Sequence, residues 1–163
     1  MGPDEEAWIR ELWPRIHALA RRMLGNDPDA RDAAQEAFLK ALERWETQLG
    51  PATREGWVVR IATRVCLDVL ERRRRAGPPL DAGDLPAPPP PAEPVEVLSR
   101  LEPCLADLPP QQRAAFVLRD MEGMAFERVA EALACTQATA RVHLMKARLA
   151  LRASWLKRHG GRP

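Results

Sequence analysis

Tyrosine is absent from the 163 residues, only 5% are aromatic, and the three cysteines, Cys66, Cys104 and Cys135, stand far apart. With no Cys-x-x-Cys pair and no histidine at ligand spacing, a disulfide scaffold and a self-contained zinc module are excluded, and a reducing cytosol is expected. No apolar run approaches the roughly 18 residues that span a bilayer. The N-terminus opens on Asp4, Glu5 and Glu6, the wrong charge for a secretory signal, so the expectation is a cytoplasmic protein without membrane insertion. There is no phosphate-binding glycine loop, no convincing carboxylate pair and no local nucleophile motif, so no enzyme, cofactor or metal site is predicted. Acid is missing in one direction: none follows Glu131.

What is present suits a folded chain. Hydrophobic residues make up 45% and charged residues 29%, enough for one ordinary domain or two small ones. The net charge of +2 hides a gradient, because residues 111–163 carry ten Lys/Arg against four Asp/Glu, pointing to a polyanionic partner for the C-terminal part. Residues 76–94 hold eight prolines and two glycines, a composition that cannot hold a helix and reads as a flexible tether between two folded parts.

Both flanks read as helix, which makes the fold class all-α. Apolar residues recur at Trp8, Leu12, Ile16, Leu19 and Met23, with Pro14 expected to kink or restart the helix and Gly25 to end it. Asp27 is the expected N-cap of a second helix, with Pro28 in its first turn and Ala30, Ala34, Ala37 or Phe38, and Ala41 facing inward. Thr53 is the expected cap of a third, with Trp57, Ile61, Val65 and Val69 on one side; the spacing of Trp57 suits core packing. Beyond the tether, Val95, Leu98, Leu101 and Leu105 mark a short helix disturbed near its end by Pro103. A fresh start at Pro109–Pro110 runs to about Met121.

The last stretch has the spacing of a helix-turn-helix. Phe126 to Leu133 gives barely two turns, Ala134–Cys135–Thr136 a corner, and Thr136 a cap for a long basic helix anchored by Ala140, Leu144, Ala147 and Leu151. Thr136, Gln137, Thr139, Arg141, His143 and Lys146 then face outward, where Arg suits guanine edges and Thr and Lys suit phosphates. A tight αα-corner also occurs in proteins that bind no DNA, but the basic run continuing through Arg148 and Arg152 favours the nucleic-acid reading.

Taken together, the chain resembles the extracytoplasmic-function group of bacterial sigma-70 family RNA polymerase sigma factors. Residues 29–45 look like that family's core-polymerase-binding helix, with Asp32, Gln35, Glu36 and Phe38 matching its motif. Residues 56–75 resemble the helix facing the minus-ten element, and residues 105–151 the domain binding the minus-thirty-five element. The resemblance implies a region 2 bundle over 1–76, a Pro-rich linker over 77–94 and a region 4 domain over 95–163.

It further implies that Asp32, Gln35 and Glu36 dock on the polymerase beta-prime clamp. Gln48, Leu49, Gly50 and Pro51 would receive a base flipped from the minus-ten strand, while Arg60, Arg64, Arg72 and Arg73 hold phosphates. Thr136, Gln137, Thr139, Arg141, His143, Lys146 and Arg148 would meet the minus-thirty-five element. Core RNA polymerase (beta-prime and beta subunits), promoter DNA and an anti-sigma protein are the implied partners, with a monomer when free. With about a dozen residues past Leu151, no further C-terminal domain is expected.

Four positions depart from the family pattern. Arg64 replaces a common asparagine, Ala125 a capping Ser or Thr, Ala134 the corner glycine and Ala140 a larger aliphatic. Alanine at the corner is tolerated if the backbone stays clear of left-handed φ. The alternative function is a helix-turn-helix regulator, or a helical adaptor with the same architecture, that does not open promoters.

Overall fold

The computed structural model describes residues 1–47, 51–77 and 93–160, and among them every long element is a helix. The chain runs α1 (Pro3–Leu24), α2 (Asp27–Leu42), a single 3₁₀ turn (Trp45–Thr47), α3 (Pro51–Ala76), α4 (Glu93–Ala106), α5 (Pro110–Phe116), α6 (Phe126–Leu133) and α7 (Gln137–His159). The proposed tether lies almost wholly outside the described residues, as do Gln48, Leu49 and Gly50.

Acids in the first turn of α1 and Arg21 and Arg22 in its last complement the helix dipole. Pro14 neither restarts nor ends the helix. Its missing donor leaves the Arg10 carbonyl on an exposed side, where water can satisfy it, while Leu12 and Ile16 keep their places in the core. Gly25, at φ +81°, terminates α1 in the left-handed region that glycine reaches without strain.

The N-cap of α2 is Asn26, one residue before the expected Asp27. Its side chain accepts from the Asp29 N–H at 3.0 Å, which puts Asp27 in the first turn. Helix α3 begins at Pro51, two residues before the expected Thr53, because proline suits a first turn that has no use for its missing N–H. Helix α4 passes through Pro103 to bury Cys104 and Leu105, leaving Val97 and Leu98 exposed. After Phe116, α5 widens into a π-helical turn, Val117–Met121, which buries both Val117 and Leu118.

Helices α1, α2 and α3 pack together, and so do α5, α6 and α7; α3 also lies against α5 and α6, and α1 against α4 and α5. One apolar cluster therefore runs from Trp8 and Ile16 through Val58 and Ala62 to Leu118, Ala130 and Leu144. Cys104, Leu105, Leu108, Ala147 and Leu151 form a second, smaller cluster under α4. None of the helices among the described residues is long and apolar enough to cross a membrane.

Candidate polymerase and nucleic-acid interface

Three surfaces hold the residues singled out by sequence. On α2, Asp32, Gln35 and Glu36 are exposed and follow the i, i+3, i+4 spacing of one helix face. Glu36 pairs with Lys40 at 2.8 Å. Leu39 completes the face as an apolar residue 57% exposed, and sequence reasoning overlooked it. Phe38 does not belong to this surface. It is buried, meeting the Trp8 ring edge-on at 5.3 Å and stacking on Trp13 at 5.9 Å, because its position shares the inward face with Ala34, Ala37 and Ala41. It braces the helix rather than offering a contact.

The second surface is a groove of about 540 Å³ between the end of α2 and α3. Trp57, Ile61 and Val65 line it apolarly, and Lys40, Arg44, Arg60 and Arg64 supply cations alongside Glu43 and Asp68. Trp57 is buried, as its spacing suggested, yet one side of it lines this groove. An apolar wall beside a row of cations is suited to a single strand, with bases on one side and phosphates on the other. Arg64 also reaches out of α3 and donates to the Glu131 carbonyl of α6 at 3.1 Å.

The arginine run divides. Arg72 is exposed, with a long contact to the Asp68 carbonyl at 3.4 Å, and Arg74 pairs with Glu71 at 2.9 Å. Arg73 turns inward, donating to the Leu24 carbonyl at 2.9 Å and pairing with Asp29. It joins the C-terminus of α1 to the first turn of α2, so its guanidinium is already engaged within the fold. The Asn26 amide and Arg73 together hold the Asp29 carboxyl below its ordinary pKa.

The third surface is the helix-turn-helix. Ala130, Ala140 and Leu144 are buried between α6 and α7 as the spacing required. Thr136 caps α7, accepting from the Thr139 N–H at 3.1 Å, whereas Ala125 gives α6 no side-chain cap. The corner departs from expectation: Ala134 sits at φ +52°, ψ +45°, the left-handed region that a Cβ disfavours. Thr136, Gln137, Thr139, Arg141 and Lys146 are exposed, and Arg141 lies over the Phe126 ring at 4.1 Å, which fixes the direction of its guanidinium.

Two residues assigned to this surface sit differently. His143 is half-buried and lines a groove with Leu67, Asp68, Glu71 and Arg74 of α3; desolvation and then Lys146 push its pKa down, favouring the neutral ring. Arg148 makes a bidentate pair with Asp120, at 2.7 and 2.8 Å, holding α7 to the π-helical turn. Both follow from angular position on α7, which falls beside the core rather than opposite it. Cys66 is buried and its thiol is pushed up to about 12, chiefly by desolvation, so it is chemically inert.

A helix-turn-helix with a basic second helix, packed against a bundle that carries a polar helix face and a cationic groove, is an arrangement suited to contact with both nucleic acid and a protein partner. The comparisons agree. Residues 8–76 match the Sigma-70 region 2 family and residues 98–151 match Sigma-70, region 4. The chain is 35% identical over 164 residues to the ECF RNA polymerase sigma factor SigE of Mycolicibacterium smegmatis, covering 96% of this chain and 63% of SigE. It is 32% identical over 137 residues to the ECF RNA polymerase sigma factor SigM of Mycobacterium tuberculosis, covering 84% of this chain and 69% of SigM. The chain belongs to the extracytoplasmic-function sigma factors, although it spans less than two thirds of SigE. Its fold is shared with sigma factor RpoE of Bartonella quintana, solved in complex with the anti-sigma factor NepR, at a TM-score of 0.74 and 20% identity over 96% of this chain and 98% of that one.

Proposed function

We propose that this chain docks on core RNA polymerase and directs promoter recognition and melting, acting in the cytosol and performing no catalysis of its own. The observation that carries the reading is the exposed Asp32–Gln35–Glu36 face on α2, in the same chain as a Thr136-capped basic helix. A mixed polar patch with one exposed leucine suits specific, reversible contact with a protein, here the beta-prime clamp. Arg60, Arg64 and Arg72 hold the minus-ten strand along the α2–α3 groove, with Gln48, Leu49 and Gly50 receiving the flipped base. Thr136, Gln137, Thr139, Arg141 and Lys146 read the minus-thirty-five element. Phe38, Arg73 and Arg148 act as positioning residues, by the contacts already described, while His143 lines the groove against α3.

On a promoter the two halves part. Elements some 25 base pairs apart are separated by about 85 Å at 3.4 Å per pair, whereas here Arg64 of α3 touches Glu131 of α6. The 16 residues 77–92 between α3 and α4 reach at most about 55 Å, at roughly 3.3–3.6 Å each, which together with the two helical modules covers that distance. An anti-sigma protein that holds the halves together would keep the factor inactive.

The test is transcription from a cognate promoter with purified core polymerase. The reading predicts transcript only when this chain is added, and weak binding of the chain alone to the duplex. Tight, salt-sensitive duplex binding without polymerase, and no transcript with it, would favour a conventional regulator.

A further inference from the structure

Helix α6 closes onto α3 beside the cationic groove, and the contact uses one of the groove's own residues. Arg64 lines the groove with Lys40, Arg44 and Arg60, yet its Nη2 donates to the Glu131 carbonyl at 3.1 Å. Glu131 lies in the last turn of α6, where carbonyls have no partner further along the helix and the dipole is negative. The other donor to that oxygen is the Ala134 N–H, at a long 3.3 Å. A guanidinium suits such a helix end. Asparagine, common at position 64 in the family, has a shorter side chain and would stop short of it. The contact therefore belongs to this chain in particular.

Further ties hold the closure away from the groove. Arg113 reaches the Met23 carbonyl, and Glu122, its side chain only 8% exposed, pairs with Arg15 at 2.9 Å and Arg22 at 3.4 Å. Arg128 of α6 lies so close to the start of α3 that a Cβ on Gly56 would stand 3.0 Å from its Nη1. These contacts draw on no groove residue. Beside Arg64, α6 brings negative charge: its C-terminal dipole end, with Glu127 and Glu131 exposed on the same helix. A single strand entering the groove would meet that charge with its phosphates and find one guanidinium turned away.

We propose that the free chain inhibits itself: α6, closed on α3, holds Arg64 away from the strand groove, so that closure and occupation of the groove oppose one another. The restraint needs no second protein. By linkage, whatever opens the chain tightens strand binding, and a bound strand favours opening by the same factor. The inhibition rests on the strand-binding reading of the groove given above; the closure does not.

The test pairs small-angle scattering with fluorescence anisotropy of a labelled single-stranded DNA of about 12 bases, using the whole chain without polymerase. Glu122→Lys sets a third cation against Arg15 and Arg22 and leaves the groove untouched. With circular dichroism unchanged, it should expand the chain and tighten strand binding at least about fivefold. Adding Arg64→Asn to it should keep the expansion and remove most of that gain. In wild type, saturating strand should itself raise the radius of gyration, a readout that stands even if Glu122→Lys fails to fold. Expansion of the variant with unchanged strand affinity would overturn the proposal, as would a strand-bound wild type as compact as the free one. So would a wild type already extended when free. No strand binding by either protein, with the variant expanded, would instead overturn the groove assignment, and the inhibition with it.

Discussion

The Arg113 guanidinium, on α5, donates through Nη1 to the carbonyl oxygen of Met23 on α1, 2.6 Å away and 90 residues earlier in the chain. Its Nη2 donates to the carbonyls of Ala106 and Leu108 at 2.9 and 3.0 Å, so one buried cation gathers the ends of α1 and α4 and the start of α5. Desolvation, and then the charge of Arg73, lower its pKa, yet a guanidinium remains charged; Nη1 and Nη2 are met by these carbonyls, while the buried Nε has no hydrogen-bond partner. Glu122, its side chain largely buried, also ties this region to α1, pairing with Arg15 at 2.9 Å and Arg22 at 3.4 Å.

Replacing Arg113 by methionine keeps much of the volume but leaves three carbonyls without this donor. The expected loss is about 2–4 kcal/mol, read by urea unfolding, with faster hydrogen exchange at the α1–α5 contact. A loss below about 1 kcal/mol would mean that the junction does not depend on this residue.

Ala134 supplies a prediction of opposite sign. Its left-handed φ of +52° costs an L-residue what glycine avoids. Ala134→Gly should therefore stabilise the chain by about 0.5–1 kcal/mol, after allowing for the extra freedom of glycine in the unfolded state. Equilibrium unfolding would measure it, and destabilisation would show that the corner carries no such strain.

Arg72 and Arg73 are adjacent in sequence but should separate in experiment. Arg73→Ala should lower the melting temperature, since Asp29 and the Leu24 carbonyl both lose a partner. Arg72→Ala should leave melting unchanged and weaken promoter binding by the holoenzyme fairly uniformly across sequences. A reversal of the two phenotypes would refute the assignment of one to fold and the other to phosphate.

Asp29 also predicts a pH dependence. Its folded pKa lies below the ordinary value of 3.8, held there by the Asn26 amide and Arg73. The stabilisation is therefore complete above that unfolded value and is lost as pH falls through the folded one. Unfolding free energies of wild type and Asp29→Asn, compared between about pH 6 and pH 2, should converge toward the acid end. A constant difference would mean that the carboxylate contributes nothing specific.

Spacing made much of this legible. The anchors Ala130, Ala140 and Leu144, the Thr136 cap and the outward placement of Asp32, Gln35 and Glu36 all follow from helical period, a local property that packing here did not override. The misplacements have a common physical source. Asn26 and Asp27 are both competent caps, and the choice fell to the exit of the chain from Gly25. Arg73 reads as a phosphate contact because the carbonyl it serves, at the end of α1, is distant in sequence, and Arg113 gives no sequence signal because its Met23 partner is 90 residues away. Phe38 belonged to the quoted motif but sits on the opposite face from its polar members.

The central claim is that α2 carries the polymerase contact. Its most direct test is co-elution of this chain with bacterial core RNA polymerase on a sizing column, beside the triple substitution Asp32→Ala/Gln35→Ala/Glu36→Ala. Those three side chains are exposed, so the variant should keep its fold. The prediction is co-elution of wild type and loss in the variant at matched circular dichroism. Co-elution of both would place the contact elsewhere, and failure of the folded wild type to bind would contradict the initiation-factor reading itself.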